Sequence, residues 1–159
     1  MQHNELCWDT KLILGIPAQD TRSVFQTIAS HFADVTGLDP KPILAGLLER
    51  ETLGSTGFGA GFALPHTLVS NLASPAKVLV TLRAAIDFNA PDDEPVDIFL
   101  AVIWPLDQQD GFLPGLAQQC RPFRSKKLLS ALRAARSETE AVILLSVLGS
   151  ERDLLEIVH

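Results

Sequence analysis

Residues 96–104 read Val-Asp-Ile-Phe-Leu-Ala-Val-Ile-Trp and are closed by Pro105. The run is mostly apolar and partly β-branched, which predicts a strand. Before it, NAPDDEP at 89–95 gathers two prolines among polar residues and predicts a turn. Further upstream, Lys77 to Leu82 reads as a second buried strand, and Ile86 to Phe88 is expected to extend a sheet edge after a short break. On either side the periodicity turns helical. Residues 20–37 place Val24, Phe25, Ile28, Ala29 and Phe32 at spacings of three and four, with Gly37 as the stop. Residues 40–50 place Ile43, Leu44, Leu47 and Leu48 on one face, with Asp39 as cap and Pro40 in the first turn. Downstream, helices are expected at 111–120 and 125–136. Ser137 with Glu140 forms a capping-box pattern that opens another, running to about 148. Helices before and after central strands predict an α/β fold whose mixed sheet is covered on both faces.

The 159 residues carry 13 Lys and Arg against 19 Asp and Glu, a net charge of -6, with 47% hydrophobic types. These values fit one compact domain spanning 1–159 and disfavour intrinsic disorder. The acidic balance argues against a general nucleic-acid binder. Cys7 and Cys120 stand far apart, outside any CxxC context, so a reducing compartment is expected rather than a disulfide scaffold. The first residues, MQHNELCWD, lack a basic start and an apolar signal core. The longest apolar stretch, Ile98 to Trp104, is too short to span a membrane. Cytoplasmic localisation without membrane insertion is the expectation.

Chemistry concentrates at 54–66, GSTGFGAGFALPH. Gly54, Gly57, Gly59 and Gly61 permit a chain that turns repeatedly and points several N–H groups at an anion. A mobile surface loop is the alternative. No lysine follows the glycines, so this is not a nucleotide P-loop, and Phe62 stands where a GxGxxG pattern would need its last glycine. Pro65 stiffens the chain just before His66. A histidine presented beside backbone donors suits phosphoryl chemistry, and suits a structural role as well. Arg50, at the end of the second predicted helix, either completes the helix dipole or clamps a phosphoryl group. Ser55 and Thr56 either contact the anion or merely satisfy the turn. His3 and His159 are terminal, and His31 is expected on a helix surface. No metal-ligand spacing surrounds His66, and no GxSxG elbow organises a hydrolytic triad. Neither a metal nor another cofactor is expected. Acids gather at 87–97 and cations at 121–136, where Arg121, Arg124, Lys126, Lys127, Arg133 and Arg136 occur without an acid. That stretch is either a solvated face or a docking surface for an acidic protein or a nucleic acid.

The string ERETLGSTGFGAGFALPH at 49–66 resembles the signature of phosphotransferase-system EIIA domains of the fructose/mannitol class, in particular the nitrogen-regulatory (PtsN-type) branch. PVDIFLAVIWPLDQQ and LLSALRAARSETE continue the likeness, which covers about residues 10–148. The resemblance implies a cytoplasmic phosphocarrier with a three-layer α/β/α sandwich around a mixed β-sheet. It implies that phosphate passes from phosphoenolpyruvate through enzyme I and a histidine phosphocarrier protein to His66, supported by Arg50. In the nitrogen-regulatory branch the phosphorylation state regulates partners such as potassium transport systems and sensor kinases. Family members carry a second histidine in an HLxxL context; here FLPGL stands there, with Phe112 at the histidine position. Thr67 replaces the small residue that often follows the active histidine.

The mechanism so implied has Nε2 of His66 attacking the donor phosphohistidine. Arg50 and the N–H groups around Gly57, Gly59 and Gly61 meet the transition-state charge. Phe58, Phe62 and Phe112 form an apolar rim that excludes water or docks a partner. The competing reading is a binding module that has kept the fold without phosphotransfer. Oligomeric state is not legible in the sequence.

Overall fold

Apolar residues recur at spacings of three and four in the helical stretches and run almost unbroken through the two long strands, and this patterning builds the architecture. The computed structural model describes residues 10–158. Cys7, His3 and His159 lie outside the described residues.

The elements run β1 (Thr10–Ile16), α1 (Thr21–Thr36), α2 (Pro40–Thr52), β2 (Gly57–Gly59), β3 (Phe62–Ala63), β4 (His66–Val69), β5 (Ala76–Ile86), β6 (Val96–Pro105), α3 (Phe112–Cys120), α4 (Lys126–Ala134) and α5 (Glu138–Val158). Short 3-10 segments at Leu106–Gly111 and Arg121–Arg124 flank α3. The sheet order is β1-β5-β6-β3-β2, and β4 also pairs with β6. β1 lies parallel to β5, β5 antiparallel to β6, and both β3 and β4 parallel to β6. The sheet is therefore mixed, as expected.

Alternation along β5 and β6 divides the core in two. Val78, Val80, Phe99, Ala101 and Ile103 face α1 and α2. Leu79, Ile98, Leu100 and Val102 face the C-terminal helices, meeting Leu116, Leu128 and Leu132. Both faces are covered, which is why these strands read as almost continuous apolar runs. The result is the expected α/β/α layering.

The helix boundaries follow their caps. Asp20 accepts from Ser23 N at 2.8 Å while Ser23 Oγ accepts from Asp20 N, closing a capping box. These hydrogen bonds hold the Asp20 carboxyl below its usual range. Gly37, at φ +75°, ends α1 in the left-handed conformation. Asp39 caps α2 through Lys41 N.

Three expectations change. The break expected after Leu82 is a bulge: β5 runs to Ile86, with its register against β6 shifting between Thr81 and Ile86. Residues 86–88 therefore do not extend a sheet edge. Ile86 ends β5 opposite Val96, and Phe88 turns inward against Phe25 and Phe99, with centroids at 6.1 and 5.2 Å. The last helix passes 148 and runs to Val158. β1, β2, β3 and β4 have no strand counterpart in the sequence reading, which took the glycine-rich stretch as a turning loop.

Phe99 is fully buried at the centre of this packing. Phe99→Ala is expected to lower unfolding free energy by about 3–5 kcal/mol, read from urea denaturation.

Candidate functional site

His66 opens β4 directly after Pro65, and pairing with β6 fixes its place opposite Val102. Its Nδ1 lies 2.8 Å from the Leu64 carbonyl. A carbonyl only accepts, so Nδ1 carries the proton and Nε2 keeps its lone pair. Arg50, in the last turn of α2, donates from Nε to that Nε2 at 3.3 Å. Its Nη1 donates to the Gly54 carbonyl at 2.9 Å. One guanidinium thus ties the end of α2 to both the histidine and the turn that follows.

Phe112, the first residue of α3, closes the other side. Its ring meets the imidazole edge-on, with centroids 5.6 Å apart and planes at 64°. Trp104 backs Phe112 at 5.9 Å and donates from Nε1 to the Gln108 carbonyl at 2.7 Å. A Cβ at Gly115 would collide with the Trp104 ring, so the glycine allows α3 to lie close enough to present Phe112. Burial pushes the His66 pKa below its ordinary value; the Arg50 charge adds to this, and the Leu64 hydrogen bond opposes it. The imidazole is consequently neutral near pH 7, with Nε2 as its basic atom.

The glycine-rich loop is held by groups of the chain itself. Glu51 accepts from Thr56 N at 3.0 Å and from Thr56 Oγ1 at 2.7 Å. Burial pushes the Glu51 carboxyl up, against the pull of the Thr56 hydrogen bonds and of Arg50. Ser55 Oγ accepts from Gly57 N at 3.0 Å and donates to the Phe88 carbonyl at 3.4 Å. Gly59, Ala60 and Gly61 all have positive φ, giving a tight hairpin turn. Asp92 accepts from Ala60 N at 3.2 Å. Arg133 donates to the Ala60 carbonyl at 2.6 Å and pairs with Asp97 at 2.8 Å. The acidic and basic stretches of the sequence therefore meet, in part, across this hairpin.

His66, Arg50 and Phe112 come together. Ser55, Thr56 and Gly57 lie in the adjoining loop, with their hydrogen bonds directed inward. Gly59, Gly61 and the exposed Phe58 belong to the hairpin, and buried Phe62 stacks on Phe123 at 4.8 Å. Thr67 projects to the opposite face, under α2, where a Cβ at Gly46 would meet its hydroxyl. Sequence reasoning missed the Leu64 carbonyl, Glu51 and Trp104. Only Glu51 had a signal, as the acid adjoining Arg50 in the Glu49-Arg50-Glu51 run. Among the described residues no group of three or more His, Cys, Asp and Glu could hold a metal ion, and no helix is long and apolar enough to cross a membrane.

Residues 6–147 match the family described as phosphoenolpyruvate-dependent sugar phosphotransferase system, EIIA 2. The chain is similar to a nitrogen regulatory protein of Klebsiella oxytoca, 31% identical over 139 residues, covering 87% of this chain and 86% of the relative. It is 32% identical over 126 residues to a nitrogen regulatory protein of Escherichia coli, covering 79% and 77%. Among solved structures, it resembles the nitrogen regulatory protein IIA-Ntr of Neisseria meningitidis with a TM-score of 0.78 at 24% identity, covering 84% and 92% of the two chains. IIA mannitol of Escherichia coli gives a TM-score of 0.71 at 15% identity, covering 91% and 99%. At these identities the two structures establish likeness of fold.

Since burial is the first cause of the low His66 pKa, Phe112→Ala is expected to raise it toward the ordinary value. The imidazole titration followed by NMR measures the change; a pKa that stays put or falls contradicts this account.

Proposed function

The chain belongs to the phosphotransferase-system EIIA 2 family, and from that premise we propose that it is a nitrogen-regulatory phosphocarrier that accepts a phosphoryl group on Nε2 of His66. The observation that carries this reading is the pair of contacts on the ring. The Leu64 carbonyl holds the proton on Nδ1 at 2.8 Å, and Arg50 stands at Nε2 at 3.3 Å. The unprotonated Nε2 and the positive charge therefore stand side by side.

In the proposed step the donor is a phosphohistidine on a histidine phosphocarrier protein. The Nε2 lone pair of His66 forms a new N–P bond as the donor's N–P bond breaks, and the donor imidazole leaves with that electron pair. The proton stays on Nδ1, which goes on donating to the Leu64 carbonyl. Charge on the three equatorial phosphoryl oxygens is met by Arg50 as its Nε–H turns from the ring to an oxygen. Phe112 keeps water from one side of the new bond. Phosphorylation state then governs binding to regulated partners, for which potassium transport systems and sensor kinases are the class proposed. The solved complex of IIA mannitol with phosphorylated IIB mannitol of Escherichia coli, matched at a TM-score of 0.69, supports partner docking by this fold.

The edge-on Phe112 ring favours a second reading. An apolar ring against the imidazole narrows the approach of a donor, which suits a regulatory binding module without phosphotransfer.

Incubation with phosphoenolpyruvate, enzyme I and the phosphocarrier separates the two. Acid-labile, base-stable phosphate is expected on the wild-type chain and is expected to vanish in His66→Ala. Arg50→Ala is expected to slow transfer by about 100-fold, the scale for removing a charge-stabilising donor. No phosphate on the wild type, with a competent control acceptor, establishes the binding module instead.

A further inference from the structure

We propose that the cavity between the β2–β3 hairpin and the start of α4 binds a small molecule with a flat apolar body and one anionic head, a carboxylate or a phosphate ester. The cavity measures about 320 Å³, at the low end of volumes that hold small ligands. Its floor is aromatic and aliphatic: Phe62 and Phe123 stack with planes only 2° apart, and Leu129 lies beside them. Phe58 makes one wall, tilted 57° to Phe62 and 54% exposed. An exposed phenylalanine at the mouth of an apolar cavity leaves surface that a flat ligand would cover.

The rim selects the charge. Arg124 and Lys126 line the cavity, both are exposed, and among the described residues no carboxylate lines it with them. Among the described residues neither cation has an ion-pair partner. Nearby, Asp97 on β6 is already bound to Arg133, and Asp92, in the turn before β6, is bound to Ala60 N. This concentration of cations runs against a chain whose net charge is -6. The first turn of α4 has no acid and carries Lys126 and Lys127, placing cations at the positive end of a helix. That arrangement costs stability in the empty protein, and an anion at the rim offsets it. The ring-shaped walls call for a flat apolar body, the rim calls for one anionic head, and the volume limits the size. His66 does not line this cavity, so the site is separate from the proposed phosphoryl acceptor.

Naphthoate is the probe, titrated into the isotope-labelled full chain by two-dimensional NMR. Saturable amide shifts are expected along Gly59 to Phe62 and Arg124 to Leu129. Charge reversal in Arg124→Glu with Lys126→Glu is expected to weaken binding by roughly tenfold or more, and Phe58→Ala by roughly threefold. Naphthalenemethanol, which keeps the ring and lacks the charge, is expected to bind roughly tenfold more weakly than naphthoate. Absence of saturable shifts overturns the proposal. Shifts centred on His66 and Arg50, an affinity unchanged by the charge reversal, or equal binding of the neutral alcohol overturn it too. So does an acidic, phenylalanine-containing peptide that occupies this surface when naphthoate does not, since the surface then belongs to a protein partner.

Discussion

The parallel pairing of β3 and β4 with β6 is the constraint on which the site depends. Phe62 lies opposite Ile98 and Ala63 opposite Phe99; beyond the gap, His66 lies opposite Val102 and Thr67 opposite Ile103. The offset is constant, so the two pieces are one strand whose ladder lapses over Leu64 and Pro65 and resumes in the same register. Pro65 has no N–H to give, yet its carbonyl still accepts from Val102 N at 3.0 Å. Because register is kept, so is alternation. Phe62, Leu64 and the His66 ring face the C-terminal helices, whereas Ala63, Thr67 and Val69 face α1 and α2. A slip of one residue would exchange His66 with Thr67 and bury the imidazole beneath α2.

Edge placement then lets two layers reach one ring. β4 has no strand on its outer side among the described residues, so Arg50 can extend from the α2 layer around the edge to Nε2 while Phe112 approaches from the α3 layer. Neither contact would be available to a histidine in a central strand. The interruption of the ladder adds the third element. Leu64 N donates to the Thr56 carbonyl, and the Leu64 carbonyl is left to accept the hydrogen bond from Nδ1–H. Proton position, charge and desolvation at His66 thus all follow from one interrupted strand.

Much of this was legible in the sequence where local signals act alone. α1 and α2 show apolar spacings of three and four and carry Asp20, Gly37 and Asp39 at their ends, so their limits fall within two residues of expectation. β6 is long and apolar enough to announce itself. β1 and β4 were not legible: each is short, β1 contains Gly15 at positive φ, and both are defined by parallel partners far away in sequence. At the site, His66 and Arg50 stood out through Pro65, the glycines and the family string. The Leu64 carbonyl could not stand out, because a backbone acceptor leaves no mark in residue type. Trp104 read as a strand residue, and its support of Phe112 exists only after α3 folds back over it.

The same distinction explains the charges. As a list, the acids at 87–97 and the cations at 121–136 look like two unrelated patches. In the fold, Asp92 and Asp97 spend their charge on the hairpin: one on Ala60 N, the other on Arg133, which also holds the Ala60 carbonyl. Glu51 does likewise for Thr56. With Thr56 N, Gly57 N and Ala60 N each bound to an acceptor of the chain, those three amides are engaged rather than turned to an incoming anion. Positive charge beside His66 therefore rests with Arg50, whose contact to the ring is long at 3.3 Å while its contact to Gly54 is short at 2.9 Å. A guanidinium anchored at one end and loosely held at the other can exchange the imidazole for an oxygen without releasing the loop. On these grounds the glycines serve to build the turn that fixes Arg50 and His66, and under the proposed function the guanidinium is the group that would answer a new negative charge.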